Sequence, residues 1–187
     1  MIYRLKRPEN SYEIVQLSIL QLAKLLDDPK YQIVRKLSSS CMSLAERWSK
    51  PSCEPHQHYQ NNALSDISFW GNFLVLNQKA VEHLSPVIGR WGEFLPINVE
   101  GFQLTLFNCT TLGAEIEDQS LIKYQDGFPM GLETLAFNDQ DVADKAIFKS
   151  KLEGCKALFV NEQFKAICEK NQLSGVVFDE DLLNIFV

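Results

Sequence analysis

Two groups of side chains in this sequence have the types and spacing that a reactive site needs. The first is the stretch that contains Cys53, His56 and His58, where a thiolate and two imidazoles could share a zinc ion. A structural zinc site needs four ligands, and the nearest further candidate, Cys41, lies twelve residues before Cys53. We therefore predict a surface loop that contains histidines and no metal site, with metal binding by these residues as the alternative.

The second group is a set of carboxylates. Glu115, Glu117 and Asp118 lie close together in the chain, and Asp126 follows them. Such a cluster could work in acid–base catalysis or could bind Mg²⁺ or Ca²⁺. The alternation of Glu115 and Glu117 around Ile116 instead indicates a strand with one polar face, which would be solvated or would face a partner.

Nucleophilic catalysis would need a serine or cysteine beside a base and a group that orients that base. The sequence has three histidines, of which two lie in the loop just described and His83 lies on the flank of a predicted helix. It has no Gly-x-Ser-x-Gly, glycine-rich phosphate loop or His-Glu-x-x-His motif. We predict a protein that is not an enzyme and uses no cofactor. The alternative is a small-molecule-binding protein or an enzyme that uses the carboxylate cluster.

Charge is distributed unevenly along the chain. The net charge is −6, yet residues 1–50 carry nine Lys and Arg against five Asp and Glu. Residues 114–144 carry eight acidic residues and one basic residue, Lys123. This balance argues against nucleic-acid binding, because such binding needs a basic surface that releases counterions. The acidic segment is either a solvated loop or a surface that attracts a basic partner.

Aromatic residues are frequent, with three Trp and twelve Phe. Most are expected in the core, because each buries a large apolar area. Trp70 lies where irregular sequence meets regular sequence, and Trp91 follows the predicted helix end at Gly89. Either position suits an exposed anchor of an interface.

The hydrophobic pattern predicts an α+β fold, with a mostly antiparallel or mixed β-sheet and a few short helices on one side of it. It contains two similar strand-Asn-helix units, in which Asn77 and Asn161 follow apolar strands and can cap the next helix. Strands are predicted over 2–5, 12–17, 73–76, 94–97, 102–107, 146–148 and 157–160, and helices over 19–26, 78–88 and after Asn161.

The length and composition predict a single domain over residues 1–187 that contains an irregular segment at 38–62. No apolar run is long enough to span a membrane, and the first residues lack the apolar region of a signal peptide. Five cysteines are an odd number for a disulfide framework, so reduced structural thiols are expected. We predict a cytoplasmic protein without a membrane partner.

Several short segments occur in an order and spacing that resemble a known family. They are the first strand-Asn-helix unit, Glu93 to Pro96, Glu117 to Ser120, and the second unit with the closing segment Ser174 to Phe178. In these, the sequence resembles the immunity protein eleven family of bacterial polymorphic toxin systems, over about residues 66–178. Family members have an acidic residue and a serine at the positions matching Asp118 and Ser120, which could fix a turn.

The resemblance implies a binding protein that neutralises a cognate toxin by occlusion, either by covering the toxin's active site or by blocking a needed movement. The contact surface of the toxin is then expected to be basic, since opposite charge speeds capture. A homodimer is compatible with the sequence. The predicted partner-binding residues are four acidic residues and two tryptophans: Glu115, Glu117, Asp118, Asp126, Trp70 and Trp91.

Overall fold

The computed structural model describes residues 1–9, 11, 13–56 and 64–185, and it confirms the predicted α+β class. The strands are β1 (Ile2–Lys6), β2 (Ser52–Cys53), β3 (Ile67–Trp70), β4 (Phe73–Leu76), β5 (Gly92–Val99), β6 (Phe102–Cys109), β7 (Ile122–Gln125), β8 (Phe128–Leu132), β9 (Ile147–Phe148), β10 (Phe159–Asn161) and β11 (Val177–Asp179). The helices are α1 (Ile19–Leu25), α2 (Gln78–Ile88), α3 (Asp139–Val142) and α4 (Glu162–Lys170), with 3-10 helices at Val34–Ser39, Ala45–Arg47 and Gly89–Trp91. Within these described ranges, every helix is too short or too polar to cross a bilayer.

The largest sheet has the strand order β2-β5-β6-β4-β3. Its neighbouring strands are antiparallel, except that β2 pairs in parallel with β5. Successive residues of β4 enter different hydrophobic clusters, with Leu74 and Leu76 in one and Phe73 and Val75 in the other. Because both faces of this strand are buried, it is apolar at every position.

The two faces of this sheet are covered by different parts of the chain. On one face, α2 and α4 pack against it, and Phe164 of α4 is fully buried there. On the other face lies the N-terminal chain from residue 14 to 53, which includes α1 and buries Leu26 and Leu44. The prediction of cover on one side is therefore incomplete, because this N-terminal segment supplies a second layer of short helices and irregular backbone.

A second, antiparallel sheet has the order β11-β1-β10-β9. The N-terminal strand β1 is an inner strand of this sheet. The predicted strand at 12–17 is wrong for the residues described there, since Val15 forms only an isolated bridge with Pro55, and Tyr12 lies outside the described residues. Of the predicted irregular segment 38–62, residues 57–62 also lie outside them.

Both strand-Asn-helix units are confirmed. The Asn77 side-chain oxygen accepts a 2.9 Å hydrogen bond from the Ala80 amide at the start of α2. The Asn161 oxygen accepts a 3.2 Å bond from the Phe164 amide at the start of α4. Each bond satisfies an amide that the first helical turn leaves without a backbone partner.

The closing segment of the chain contacts the first unit through Asp66 and Gly175. The Asp66 carboxylate accepts hydrogen bonds from the Asn77 side chain and the Ser174 amide, both at 2.9 Å. Gly175 has a φ of +100°, and a Cβ there would lie 1.8 Å from the Ile67 carbonyl oxygen. A glycine is required, because any side chain would displace the strand beneath it.

Candidate functional site

The acidic segment contains a hairpin that stands apart from the two larger sheets. In the described part of the chain, β7 and β8 pair only with each other. Their turn is Asp126-Gly127, with φ of +51° and +82°. Two successive positive φ values are typical of a type I′ turn, whose twist suits paired strands and which favours Asp-Gly. The local sequence therefore suffices to form this turn.

Every residue from 121 to 131 is exposed, although several of them are large and apolar. The exposed fraction reaches 62% for Tyr124, 71% for Phe128 and 59% for Met130, and Leu121 and Ile122 are exposed as well. Contact with water is unfavourable for each of these side chains, and several exposed apolar side chains on one short element indicate an interaction site. We call these five residues the apolar hairpin surface.

Exposed carboxylates flank the apolar hairpin surface along the chain, and we call these four residues the acidic rim. Asp126 lies at the turn, Glu133 follows the end of β8, and Glu117 and Asp118 lie in the turn before β7. Lys123 is the one basic residue of the surrounding sequence from 114 to 144. Exposed aromatic and methionine side chains within a charged rim are the composition of a protein–protein interface, and this rim suits a basic partner.

The two edges of the hairpin differ in what they offer to a further strand. Tyr124 pairs with Pro129, next to the Gln125–Phe128 pair that closes the turn. Along an antiparallel ladder, pairs whose N–H and C=O groups bond to each other alternate with pairs whose N–H and C=O groups point away from each other. Tyr124–Pro129 is a pair of the second kind, so its backbone groups point outward. Proline has no N–H, which leaves the β8 edge without a donor at this point. The Tyr124 N–H is free to face outward on β7, so β7 is the edge at which a partner strand could pair.

Two hydroxyl side chains link the segment that enters the hairpin to the segment that leaves it. The buried Ser120 Oγ accepts a 3.1 Å bond from the Ala136 amide and lies 3.3 Å from the Ala136 carbonyl oxygen, to which it donates. The Thr134 Oγ1 accepts from the Leu121 amide at 2.9 Å and donates to the Gln119 carbonyl at 2.7 Å. These bonds hold the two ends of the hairpin to each other, and Phe137, the residue after Ala136, is buried in the core. The exposed surface therefore has a fixed base.

Glu115 lies apart from the other acidic candidates. The predicted strand over 115–117 is wrong, because Glu115 forms an isolated bridge with Phe137 and a turn follows it. Its carboxylate is half-buried and accepts bonds from the Ser150 hydroxyl at 2.8 Å and the Leu152 amide at 3.0 Å. Glu115 therefore positions the 150–152 backbone, whereas Glu117 and Asp118 remain exposed.

The two tryptophans are half-buried and lie on other elements than the hairpin. Trp70 ends β3 and packs on Phe73, with ring centroids 5.5 Å apart. Trp91 ends a 3-10 helix, and the Arg90 guanidinium lies 4.4 Å from the centre of its ring. Both also pack against the hydrophobic clusters of the core. They contribute to the packing of the larger sheet and not to the apolar hairpin surface.

The sequence reasoning missed the five residues of the apolar hairpin surface, although a signal for them exists. Asp126-Gly127 stands between Ile122-x-Tyr124 and Phe128-x-Met130, which is an alternating hairpin pattern around a type I′ dipeptide. The pattern indicates a hairpin, but it does not say that both faces of the hairpin are exposed.

An open groove of about 760 Å³ lies beside β2 and β3. Cys53, His56 and Trp70 line it together with the carboxylates of Glu13 and Glu100. Burial raises the pKa of the Cys53 thiol. His58, the third member of the proposed ligand group, lies outside the described residues, and among those described no three potential ligands are arranged to hold a metal ion. None of the predicted acidic residues lines this groove.

No protein-family model matches this chain, and no curated protein is significantly similar to it. The resemblance to the immunity protein eleven family therefore stays a prediction that depends on the order and spacing of its short segments.

Proposed function

We propose that this protein is an immunity-type binding protein that neutralises a cognate bacterial toxin by protein–protein occlusion. The observation that carries the proposal is the β7–β8 hairpin, whose large apolar side chains are exposed on a fixed base within an acidic rim. On this proposal the protein acts in the cytoplasm and by binding rather than by catalysis.

The hairpin supports a binding role because its apolar side chains contribute little to the core. Burying a side chain of this size against a partner is worth roughly 1.5–3 kcal/mol. Tyr124, Phe128 and Met130 can therefore supply most of the affinity of a small interface. The carboxylates of Glu117, Asp118 and Asp126 add long-range attraction, which raises the association rate for a basic partner.

The toxin part of the proposal rests on the family resemblance, and the hairpin offers a mechanism for it. A two-stranded hairpin is narrow enough to enter a concave site, and its free β7 edge could pair with a strand of the toxin. Catalytic clefts that act on nucleic acids or other anions are commonly basic. An acidic, apolar projection would cover such a cleft and exclude the substrate.

One observation favours the alternative of a small-molecule-binding protein. The open groove beside β2 and β3 brings Trp70 together with Glu13, Glu54 and Glu100, which is a combination that suits a polar or cationic ligand. This groove differs from the carboxylate cluster at 115–126 that the sequence suggested. A ligand at this site would leave the role of the hairpin unexplained.

The test begins with capture of partners from the native bacterium, using the full chain as bait. Each captured protein is then expressed alone in a test strain and together with the full chain. We expect one captured protein to arrest growth when alone and to be harmless when the full chain is present. Failure of every captured protein to arrest growth, or arrest that the chain does not relieve, would contradict the proposal.

The matched variants locate the surface. We compare Glu117→Lys/Asp118→Lys/Glu133→Lys, which leaves the Asp126-Gly127 turn intact, with Glu82→Lys/Glu169→Lys/Glu180→Lys, which changes the net charge equally at exposed positions elsewhere. Loss of growth protection in the first variant alone assigns binding to the acidic rim. Equal loss in both would show a general charge effect, and protection by both would place the interface elsewhere.

A further inference from the structure

Three of the five free cysteines gather around one buried lysine where the N-terminal chain meets the second sheet. The sulfur of Cys41 lies 3.9 Å from the sulfur of Cys155. Cys41 and Cys109 both contact the Thr111 carbonyl oxygen, at 3.9 and 3.6 Å. Two thiols at this separation are in van der Waals contact, although they come from distant parts of the sequence.

Lys149 lies beside these thiols with its side chain fully buried. Its Nζ donates to the Ser40 carbonyl at 3.3 Å and lies 5.8 Å from the centre of the Phe73 ring. Burial lowers the pKa of Lys149, although the neighbouring thiols oppose this shift. When Lys149 is protonated, its ammonium stabilises a nearby thiolate. Burial disfavours the thiolate and is the stronger effect at Cys41, where it raises the pKa of the thiol to about 12.

We propose that Cys41 and Cys155 form an oxidation site, at which a peroxide converts the two thiols into an intramolecular disulfide. Cys41 is the half-exposed member and meets the oxidant first, while Cys155 is buried and acts as the resolving thiol. The sulfurs must approach by about 2 Å to reach bonding distance. Cys41 lies in a stretch without helix or strand, residues 40–44, and a small shift of this stretch can supply that approach.

Oxidation of the two thiols by one peroxide proceeds in two steps. The Cys41 thiolate attacks one oxygen of hydrogen peroxide, the O–O bond breaks, and the leaving hydroxide takes a proton to form water. The Cys155 thiolate then attacks the sulfur of the Cys41 sulfenic acid, and the departing hydroxide becomes a second water. Two thiols lose two electrons and two protons in total, and one peroxide is reduced to two waters.

The other cysteines lie in positions that do not favour a second pair. Cys53 belongs to the core between the larger sheet and the N-terminal chain that covers it. Cys168 lies on α4, on the opposite side of that sheet. Cys109 is close to the pair but fully buried, and burial raises the pKa of its thiol to about 11. Cys41 and Cys155 are the pair whose sulfurs are in contact and of which one member is half-exposed.

A Cys41–Cys155 disulfide would have a structural consequence. It would join residues 114 positions apart and would connect the N-terminal chain covalently to the turn at 151–155, between β9 and β10 of the second sheet. Closing so long a loop restricts the unfolded chain, so the oxidised form should melt on the order of 10 °C above the reduced form. Dithiothreitol should reverse this shift.

The experiment treats the reduced, folded full chain with hydrogen peroxide, blocks remaining thiols by alkylation and maps the peptides by mass spectrometry. We expect a linked peptide that contains Cys41 and Cys155, with the loss of two hydrogens. Cys41→Ser should abolish this link, and Cys168→Ser, a buried control on α4, should retain it. Because burial keeps the Cys41 thiol protonated at neutral pH, the link should form about tenfold faster per pH unit between pH 7 and 9.

Several results would overturn the proposal. One is the absence of the link when glutathione, added to the same sample as a control for the oxidant, is fully oxidised. Another is a link between a different pair, or a link only between two molecules. If Cys155→Ser does not fold, the wild-type peptide map alone decides the matter, since it needs no substitution.

Discussion

The β5–β6 hairpin and the β7–β8 hairpin have the same local construction and opposite surroundings. Each turns through an acidic residue and a glycine with positive φ, Glu100-Gly101 and Asp126-Gly127, and a phenylalanine follows each glycine. The β5–β6 hairpin forms the middle of the five-stranded sheet and contributes to the cores on both of its faces. The β7–β8 hairpin pairs with no other described strand and is exposed over residues 121–131.

This difference separates what local sequence decides from what packing decides. In both hairpins, the turn dipeptide and the alternating strands favour pairing of the two segments. Only the β5–β6 hairpin is covered, because α2 and the N-terminal chain pack on its two faces. The apolar side chains of the β7–β8 hairpin are therefore available for a partner, and we expect them to serve binding rather than folding.

The largest expected effect is on folding stability in the buried hairpin. Phe107→Ala in β6 removes a fully buried ring and should lower the free energy of unfolding by about 3–5 kcal/mol. Phe128→Ala in β8 removes a mostly exposed ring and should change it by less than about 0.5 kcal/mol. Urea denaturation of both variants measures this difference. A loss of several kcal/mol in Phe128→Ala would mean that the hairpin packs on the protein.

The next effect concerns the edge of β7. Tyr124→Pro removes both the ring and the outward N–H, whereas Tyr124→Ala removes the ring alone. If the partner pairs with β7, Tyr124→Pro should bind about tenfold more weakly than Tyr124→Ala. Calorimetric titration with the growth-arresting protein measures both affinities. Equal affinities would show that the partner contacts side chains and not the strand edge.

A smaller effect should distinguish the two turns. Both Gly101 and Gly127 have positive φ and open space where a Cβ would lie, so alanine at either position should cost about 1 kcal/mol locally. Gly101→Ala should lower global stability by this amount, since β5 and β6 unfold with the core. Gly127→Ala should mainly speed hydrogen exchange within residues 122–132. Equal global losses would mean that the two hairpins unfold together.

The smallest effect is a pH dependence at Glu93 in β5. Burial alone would raise the pKa of Glu93, but hydrogen bonds from Leu44, Ser43, Asn108 and Ala45 outweigh burial and lower that pKa. The carboxylate therefore contributes stability above its unfolded pKa, near pH 4–4.5, and this stability is lost as the pH falls through the folded pKa.

Glu93→Gln tests this contribution. The wild-type midpoint in urea should exceed that of Glu93→Gln at pH 7, and the gap should close as the pH falls below 4. Glu82→Gln, on the exposed side of α2, serves as the control and should show no such gap. A gap that persists unchanged at pH 3 would show that the effect comes from packing and not from the charge.

The sequence predicts well those elements that are defined by local signals. The Asn77 cap and the apolar period give α2 its bounds of 78–88, and alternation locates β6. Three alternating residues around Ile116 are too few to separate a strand from a turn, so the strand predicted at Glu115 and Glu117 was wrong.

The candidate site was harder to predict for a physical reason. Glu117, Asp118 and Asp126 are exposed around the hairpin. Glu115 instead binds Ser150, and Trp70 and Trp91 pack against core clusters built from distant parts of the chain. Whether a side chain is exposed depends on which distant segments pack on its element, and a local sequence pattern does not contain that information. For this reason the five apolar residues at the hairpin were missed although their pattern is visible.

The most direct test of the central claim is growth protection by a hairpin-surface variant. Tyr124→Ser/Phe128→Ser/Met130→Ser removes the apolar side chains that are most exposed and leaves the acidic rim intact. We predict that this variant keeps the wild-type urea midpoint and no longer protects cells from the captured growth-arresting protein. Full protection by the folded variant would contradict the claim that the β7–β8 hairpin is the binding surface.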